Sequence, residues 1–306
     1  MLVYSIVVTH NGLRWIDRCL GSLVNSTIPT RILVIDNKST DGTLDQIRSK
    51  FPSAEVVETG QNLGFGKANN IGLTRALEEN ADYVFLLNQD AWVEADTIEK
   101  LISMQNSEYA ILSPMHLNGL GDALDFGFAT YLSKSIAPSV LSDIYFNGVK
   151  GLYEVQYVNA AAWLLSMKCI EMVGGFDPNF FMYGEDDNYM LRVRYYGYKI
   201  GICPSARIYH DRQFRDNKKW DGLGNKKKLV MIYFKNLDKS LIVKSREFFI
   251  SQSKAAVKDI LCFRVKKLFF DIYITVYALF SLGEIFRSRK QARQRCAFIN
   301  SRSRLE

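Results

Sequence analysis

ILVIDNKSTDG, residues 32–42, runs four aliphatic residues directly into an acid, an amide and a turn. Ile32–Ile35 has the length and unbroken apolar character of a strand buried on both faces. Asp36-Asn37 closes it, and Ser39-Thr40-Asp41-Gly42 is a turn and N-cap cluster opening a helix that carries Leu44 and Ile47. The same unit recurs on either side. Val3–Val8 (VYSIVV) ends in Thr9-His10-Asn11-Gly12, after which Leu13, Ile16, Leu20 and Leu23 share a helical face. Val56–Glu58 reads as a third strand. A glycine-rich loop, Asn62–Gly66, leads to a helix over about 67–80, and Tyr83–Leu87 (YVFLL) is a fourth strand. Such alternation predicts an α/β fold, a mostly parallel sheet with helices on its faces. Ligands of these sheets bind beyond the carboxyl ends of the strands. Thr9, Asp36 and Asn88-Gln89-Asp90 all stand at such ends, and that coincidence locates the site.

Farther along, residues 115–150 read as loop, rich in Gly, Ser and aromatics. A second cluster runs through Val158–Ser166, Gly174-Gly175-Phe176-Asp177 and Phe180–Arg194, with Ile200–Tyr209 strand-like beyond it. From residue 226 the pattern turns helical, basic and aromatic. The expected organisation is a catalytic domain over 1–225, with a donor half to about 110 and an acceptor half to about 225, then a helical region over 226–306.

Composition narrows the class. Of 306 residues, 48% are hydrophobic and 23% charged, which suits a folded globular protein. Five scattered cysteines without C-x-x-C spacing point to a reduced, cytoplasmic chain and away from a zinc cluster. The chain enters a strand at once, so no secretory signal is expected. Net charge is +7, made of −6 over residues 1–225 and +13 over 226–306. A mildly acidic body with a strongly basic tail implies two tasks.

The polar clusters carry the chemistry. Asp90, at a strand's carboxyl end, is placed to hold Mg²⁺ or Mn²⁺ against a pyrophosphate; alone, Asn88-Gln89-Asp90 reads as readily as a turn. Glu185-Asp186-Asp187 caps a helix or supplies a general base. His210 ends a strand and joins the metal site only if the acidic motifs need a cation. Asp36 can accept the imide N–H of uracil or thymine, and the backbone of Asn62–Gly66 can approach phosphates.

Taken together the motifs resemble a family. SIVVTHNG (5–12), VIDNKSTDGT (34–43), NLGFGKANNIG (62–72), LLNQD (86–90), GGFDPNFFMYGEDDNYMLR (174–192) and His210 follow one order, that of the inverting family-2 glycosyltransferases with a GT-A (Rossmann-like) fold. The resemblance covers roughly residues 3–212 and is nearest to the rhamnosyltransferase-like branch. It implies donor contacts from Thr9, Asn11, Asp36, Asn37, Asn62, Gly64, Lys67, Asn70 and Asn88, and metal ligation by Asp90 and His210. It also implies Asp186 as catalytic base, with Glu185 orienting it or the acceptor. Asn88 stands where the family usually has a first aspartate, and Asp187-Asn188 departs from the commoner E-D-V-D pattern, leaving Asp187 as a second possible base. The donor implied is a pyrimidine nucleotide sugar, dTDP-L-rhamnose before a UDP-sugar, and the acceptor a saccharide, lipid-linked if the tail meets a membrane. Two rivals are a nucleotidyltransferase, which should carry a basic glycine-rich loop after the first strand, and a non-catalytic sugar-binding or scaffold protein of the same fold.

KKLFFDIYITVYALFSLGEIFRSRK, residues 266–290, offers a largely apolar, uncharged stretch of twelve residues between Asp271 and Glu284. That is short for a membrane span of about 20. With Lys266, Lys267, Arg287, Arg289 and Lys290 beside it, the segment is expected to lie on the inner face of an anionic membrane, or else to pack on the domain or on a second subunit. No nucleic-acid module accompanies the basic tail, and nucleic acid is not an expected partner.

Overall fold

The computed structural model describes residues 1–133, 136–212 and 222–299. Contacts divide them into two units, residues 1–212 with 295–299, and residues 222–294.

In the first unit, β1 (Val3–Thr9), β2 (Arg31–Asp36), β3 (Glu55–Glu58) and β4 (Tyr83–Asn88) form a parallel block in the order β3-β2-β1-β4. Both faces of these strands are apolar because both are covered. Tyr4, Ile6, Leu33 and Leu86 face one core, while Val3, Val7, Val34 and Leu87 face the other. The connecting helices α1 (Ile16–Val24), α2 (Thr43–Lys50) and α3 (Gly64–Glu78) follow the expected turns. Gly72 lets α3 settle onto β1, since a Cβ there would lie 2.6 Å from Ile6 Cδ1.

Beyond β4 the sheet is mixed. After β5 (Ala91–Val93) and α4 (Thr97–Met104) comes β6 (Tyr109–Asn118), within a region whose second half read as loop. Two short helices, α5 (Phe126–Tyr131) and α6 (Val140–Tyr145), and β7 (Tyr153–Glu154) follow, so residues 115–150 carry regular structure that their Gly and Ser content masked. β8 (Ala162–Ser166) runs antiparallel to both β4 and β6, whereas β9 (Lys199–His210) runs parallel to β6 and antiparallel to β5 and β7. Between β8 and β9 lie α7 (Met167–Val173) and α8 (Glu185–Tyr195). Residues 295–299 return to this unit: Gly175 N–H donates to Ala297 O at 2.7 Å, and buried Arg192 lies over the Phe298 ring.

The second unit is three helices, α9 (Leu223–Lys235), α10 (Leu241–Leu261) and α11 (Val265–Gln291). Part of the basic charge is internal. Buried Lys244 pairs with Asp238 at 2.6 Å, and buried Arg289 donates to Phe234 O at 2.6 Å and to the carbonyls of Asn236 and Lys239. Arg289, expected to flank a membrane-facing segment, instead ties α11 to the end of α9. Arg302 and Arg304 of the tail lie outside the described residues. At 27 residues, α11 is long and apolar enough to cross a membrane by length and composition. The shorter apolar estimate stopped at Asp271 and Glu284, but Lys267 neutralises Asp271 and Lys235 neutralises Glu284, so the helix continues through both.

Candidate active site

Loops at the carboxyl ends of β1, β2 and β4 interlock. Thr9 Oγ1 donates to Gln89 Oε1 at 2.7 Å, and the same oxygen accepts the His10 N–H at 2.9 Å. Gly12 makes room for that link, since a Cβ there would lie 2.5 Å from Gln89 Oε1. Asn11, with φ of 52°, accepts the Thr40 N–H at 2.8 Å. Asn37 bridges to the glycine-rich loop with both ends of its amide, accepting from Leu63 N–H at 3.2 Å and donating to Gly64 O at 3.0 Å. Asn62 accepts the Gly64 N–H at 2.9 Å. These five side chains tie together the loops beyond the strand ends.

Asp36 is different. It is buried, its Oδ2 accepts the Ser39 N–H at 3.0 Å, and its Oδ1 has no partner. A buried acceptor without a donor is uncommon and needs a reason; a ligand N–H at the end of β2 is one.

Gly64 has φ of 78°, and a Cβ there would overlap Phe181 O at 1.9 Å. Phe65 N–H donates to that oxygen at 3.2 Å, so the glycine-rich loop touches the loop before α8. Lys67 is exposed on the first turn of α3, and Asn88 is half-buried at the end of β4. Asn70 requires a correction. Its Nδ2 donates to Phe176 O at 2.8 Å and Phe298 O at 3.1 Å, and its Oδ1 accepts the Phe176 N–H at 2.7 Å. Those bonds use the amide to clamp the turn before α8, not to meet a donor.

Strand pairing brings Asp90 and His210 together. Ala91 is opposite His210 in the β5–β9 ladder, so Asp90 Oδ1 comes within 3.4 Å of His210 Nε2. Burial pushes the Asp90 carboxyl up, but the His210 hydrogen bond and charge, with the Arg212 charge, outweigh it and hold Asp90 below the usual range. Among the described residues no three His, Cys, Asp or Glu side chains surround one point. A divalent ion would therefore take Asp90 and His210 and complete its shell with phosphate oxygens and water, as Mg²⁺ commonly does. The spacing fits, because two bonds of about 2.1 Å to one ion span such a separation.

The acidic triplet opens α8. Tyr183 and Gly184, with φ of 67° and 94°, turn the chain sharply into the helix. Asp186 is half-buried; its Oδ2 accepts from Tyr157 Oη at 3.1 Å and its Oδ1 from the Asp187 N–H at 2.9 Å. Both of its oxygens are therefore held at the start of the helix. Glu185, 5% exposed, is pushed well above the usual carboxylate range by burial and then by the Asp186 charge. Its Oε2 has no partner. Adjacent carboxyls with surroundings this different are an acid–base arrangement. Tyr157, Gln89 and Asp125 were missed by motif reading. Only Gln89 carried a signal, sitting between Asn88 and Asp90.

Residues 5–128 match the family described as Glycosyl transferase family 2. Those residues are about two-fifths of the chain, and over them it is similar to that family. It is 23% identical over 210 residues to dTDP-rhamnosyl transferase RfbF of Shigella flexneri, covering 68% of each chain. Against N-acetylglucosaminyl-diphospho-decaprenol L-rhamnosyltransferase of Mycobacterium tuberculosis it is 25% identical over 238 residues, covering 68% of this chain and 75% of that one. In fold the chain resembles the mannosyltransferase PcManGT from Pyrobaculum calidifontis, solved with GDP-Man and Mn²⁺, at a TM-score of 0.56 and 17% identity over 91% of this chain and 86% of that one. It spans 58% of hexosyltransferase Agl10 of Haloferax volcanii and 42% of S. aureus TarS.

Proposed function

We propose that this chain is a family-2 glycosyltransferase that moves a sugar from a pyrimidine nucleotide diphosphate to a saccharide hydroxyl, inverting the anomeric centre in a single displacement, with dTDP-L-rhamnose the favoured donor and a UDP-sugar next. The observation carrying the reaction type is the half-buried Asp186, held by Tyr157 and the Asp187 N–H, beside a buried Glu185 whose carboxyl is pushed up to about 8, at the start of α8. Asp186 takes the proton of the acceptor hydroxyl as that oxygen bonds to the anomeric carbon and the bond to the diphosphate breaks. Tyr157 and the Asp187 N–H fix the carboxylate. The unpartnered Asp36 Oδ1 accepts the imide N–H of the base. Asp90 and His210 hold Mg²⁺ or Mn²⁺, which would neutralise charge on the departing diphosphate.

Two relatives whose names specify rhamnosyl transfer, one of them from a dTDP donor, support this choice of sugar and base. Purified protein screened against nucleotide sugars for diphosphate release should respond to dTDP-L-rhamnose or a UDP-sugar; turnover of GDP-sugars alone would overturn the pyrimidine assignment.

The acceptor is proposed to be lipid-linked and presented on the cytoplasmic face of an anionic membrane. Val265, Phe269, Ile272, Val276, Leu279 and Phe286 form an exposed apolar stripe along α11. Lys266 and Arg287, also exposed, flank it. An apolar stripe with basic flanks suits a helix lying in the interface. The full chain should float with vesicles containing phosphatidylserine, and a Phe269→Glu/Phe280→Glu variant should float poorly while keeping its thermal stability. Absence of wild-type flotation at low salt would remove the membrane from the proposal.

A further inference from the structure

His210 lies between two carboxylates. It is 1% exposed, with Nε2 facing Asp90 Oδ1 at 3.4 Å and Nδ1 facing Asp125 Oδ2 at 3.6 Å. Nδ1 is buried and has no hydrogen-bond partner. Asp125 is 2% exposed, and it is anchored: its Oδ1 accepts the Phe128 N–H at 2.7 Å as N-cap of α5, and its own N–H donates to His116 O at 2.9 Å. Only Oδ2 is left to meet the ring. A buried carboxylate needs a donor, and a buried ring nitrogen needs a partner. Each group is what the other lacks.

We propose that Asp125 is a positioning residue that keeps the proton on His210 Nδ1, so that when the ring gives up the Nε2 proton facing Asp90 it is the Nδ1–H tautomer that remains, with the Nε2 lone pair on the Asp90 side. The inference rests on the reading of Asp90 and His210 as metal ligands for its consequence, though not for its geometry. A histidine ligand ordinarily donates its second ring N–H to a carboxylate or carbonyl, which fixes the tautomer and raises ligand basicity. His116 meets His210 edge-on at 6.2 Å between ring centroids, and its Nε2 is engaged with Ser113 Oγ at 3.1 Å.

Asp125→Asn separates this role from capping. Asparagine caps helices as well as aspartate does, so its oxygen stays on the Phe128 N–H and its NH₂ turns to the ring. Nδ1 must then accept, the proton moves to Nε2, and Nε2 no longer offers a lone pair. Asp125→Ser keeps a cap and removes the carboxylate without imposing the opposite tautomer.

The test is long-range ¹H–¹⁵N correlation on the ¹⁵N-histidine protein, at a pH where the rings are neutral; the chain has only three histidines, which makes assignment direct. Wild type should show His210 as Nδ1–H, Asp125→Asn as Nε2–H, and Asp125→Ser a mixture. A parallel titration with Mn²⁺ alone, read by electron paramagnetic resonance, should show affinity falling by roughly 10–100-fold in Asp125→Asn. An unchanged tautomer in both variants overturns the proposal, whatever the metal does. A tautomer switch in a wild-type protein that binds no Mn²⁺ supports the positioning role and removes the metal reading instead.

Discussion

Asp186→Asn should lower sugar transfer by roughly 10²–10⁴, the usual contribution of a positioned general base, while nucleotide affinity stays close to wild type. The asparagine keeps the shape of the side chain and can still accept from Tyr157 Oη, so the start of α8 should survive. What it loses is basicity. Glu185 cannot substitute, because burial and the neighbouring charge keep it protonated. Glu185→Gln should therefore cost far less activity, since an amide replaces a carboxyl that already carries a hydrogen. Stability gives a second signature. In the fold Glu185 keeps its proton at pH values where the unfolded chain releases it, so the folded state binds more protons and wild-type stability falls as pH rises. That fall begins near the ordinary glutamate value of about 4.3 and continues to the raised folded value. Thermal unfolding of Glu185→Gln should lack this slope and exceed wild type increasingly toward neutral pH. Paired initial rates and calorimetric nucleotide titrations check the first claim: lost affinity with retained turnover would make Asp186 a donor ligand, and equal transfer would remove it from catalysis.

The parallel block was legible because its physics is local. Each of β1, β2 and β4 is an aliphatic run ending in a polar residue, and parallel strands covered on both faces must look that way. β6 was only partly legible. Ser113, Pro114 and His116 interrupt its apolar pattern, and its pairing with β9 shifts register at Pro114 and Met115, so no period of two survives. The side chains that support the site were hidden for a related reason. Asp125 reaches His210 because β6 and β9 align, and Tyr157 reaches Asp186 from the segment before β8; neither neighbour is close in sequence. Asn70 shows the opposite failure. It sits in a motif rich in amides, and only its bonds to Phe176 and Phe298 show that it supports backbone. Residues 295–299 could not be placed from sequence at all. Their fit depends on Gly174, where a Cβ would lie 2.0 Å from Ala297 O, more than 120 residues away.

Asp90→Ala should abolish donor turnover, a loss on the order of 10³-fold or more if the ion contributes the several kcal/mol typical of charge stabilisation by a metal. The fold should not be the cause. The Asp90 backbone carbonyl, not its side chain, accepts the Asp211 N–H at 2.9 Å, and the β5–β9 ladder beside it is made by backbone. The charge is what the site keeps: although burial opposes ionisation, His210 and Arg212 hold the carboxylate below its ordinary range. Asp90→Asn, which preserves volume, should be nearly as inactive. His210→Ala should retain more activity, because Asp90 still presents its charge to the ion and a water can occupy the vacated position. Mn²⁺ binding should decline in the same order, weakest in Asp90→Ala. Wild-type turnover in excess chelator is the decisive control. If the rate is undiminished there, Asp90 and His210 are a buried ion pair supporting the end of β9, and the diphosphate must be neutralised by side chains such as Arg212.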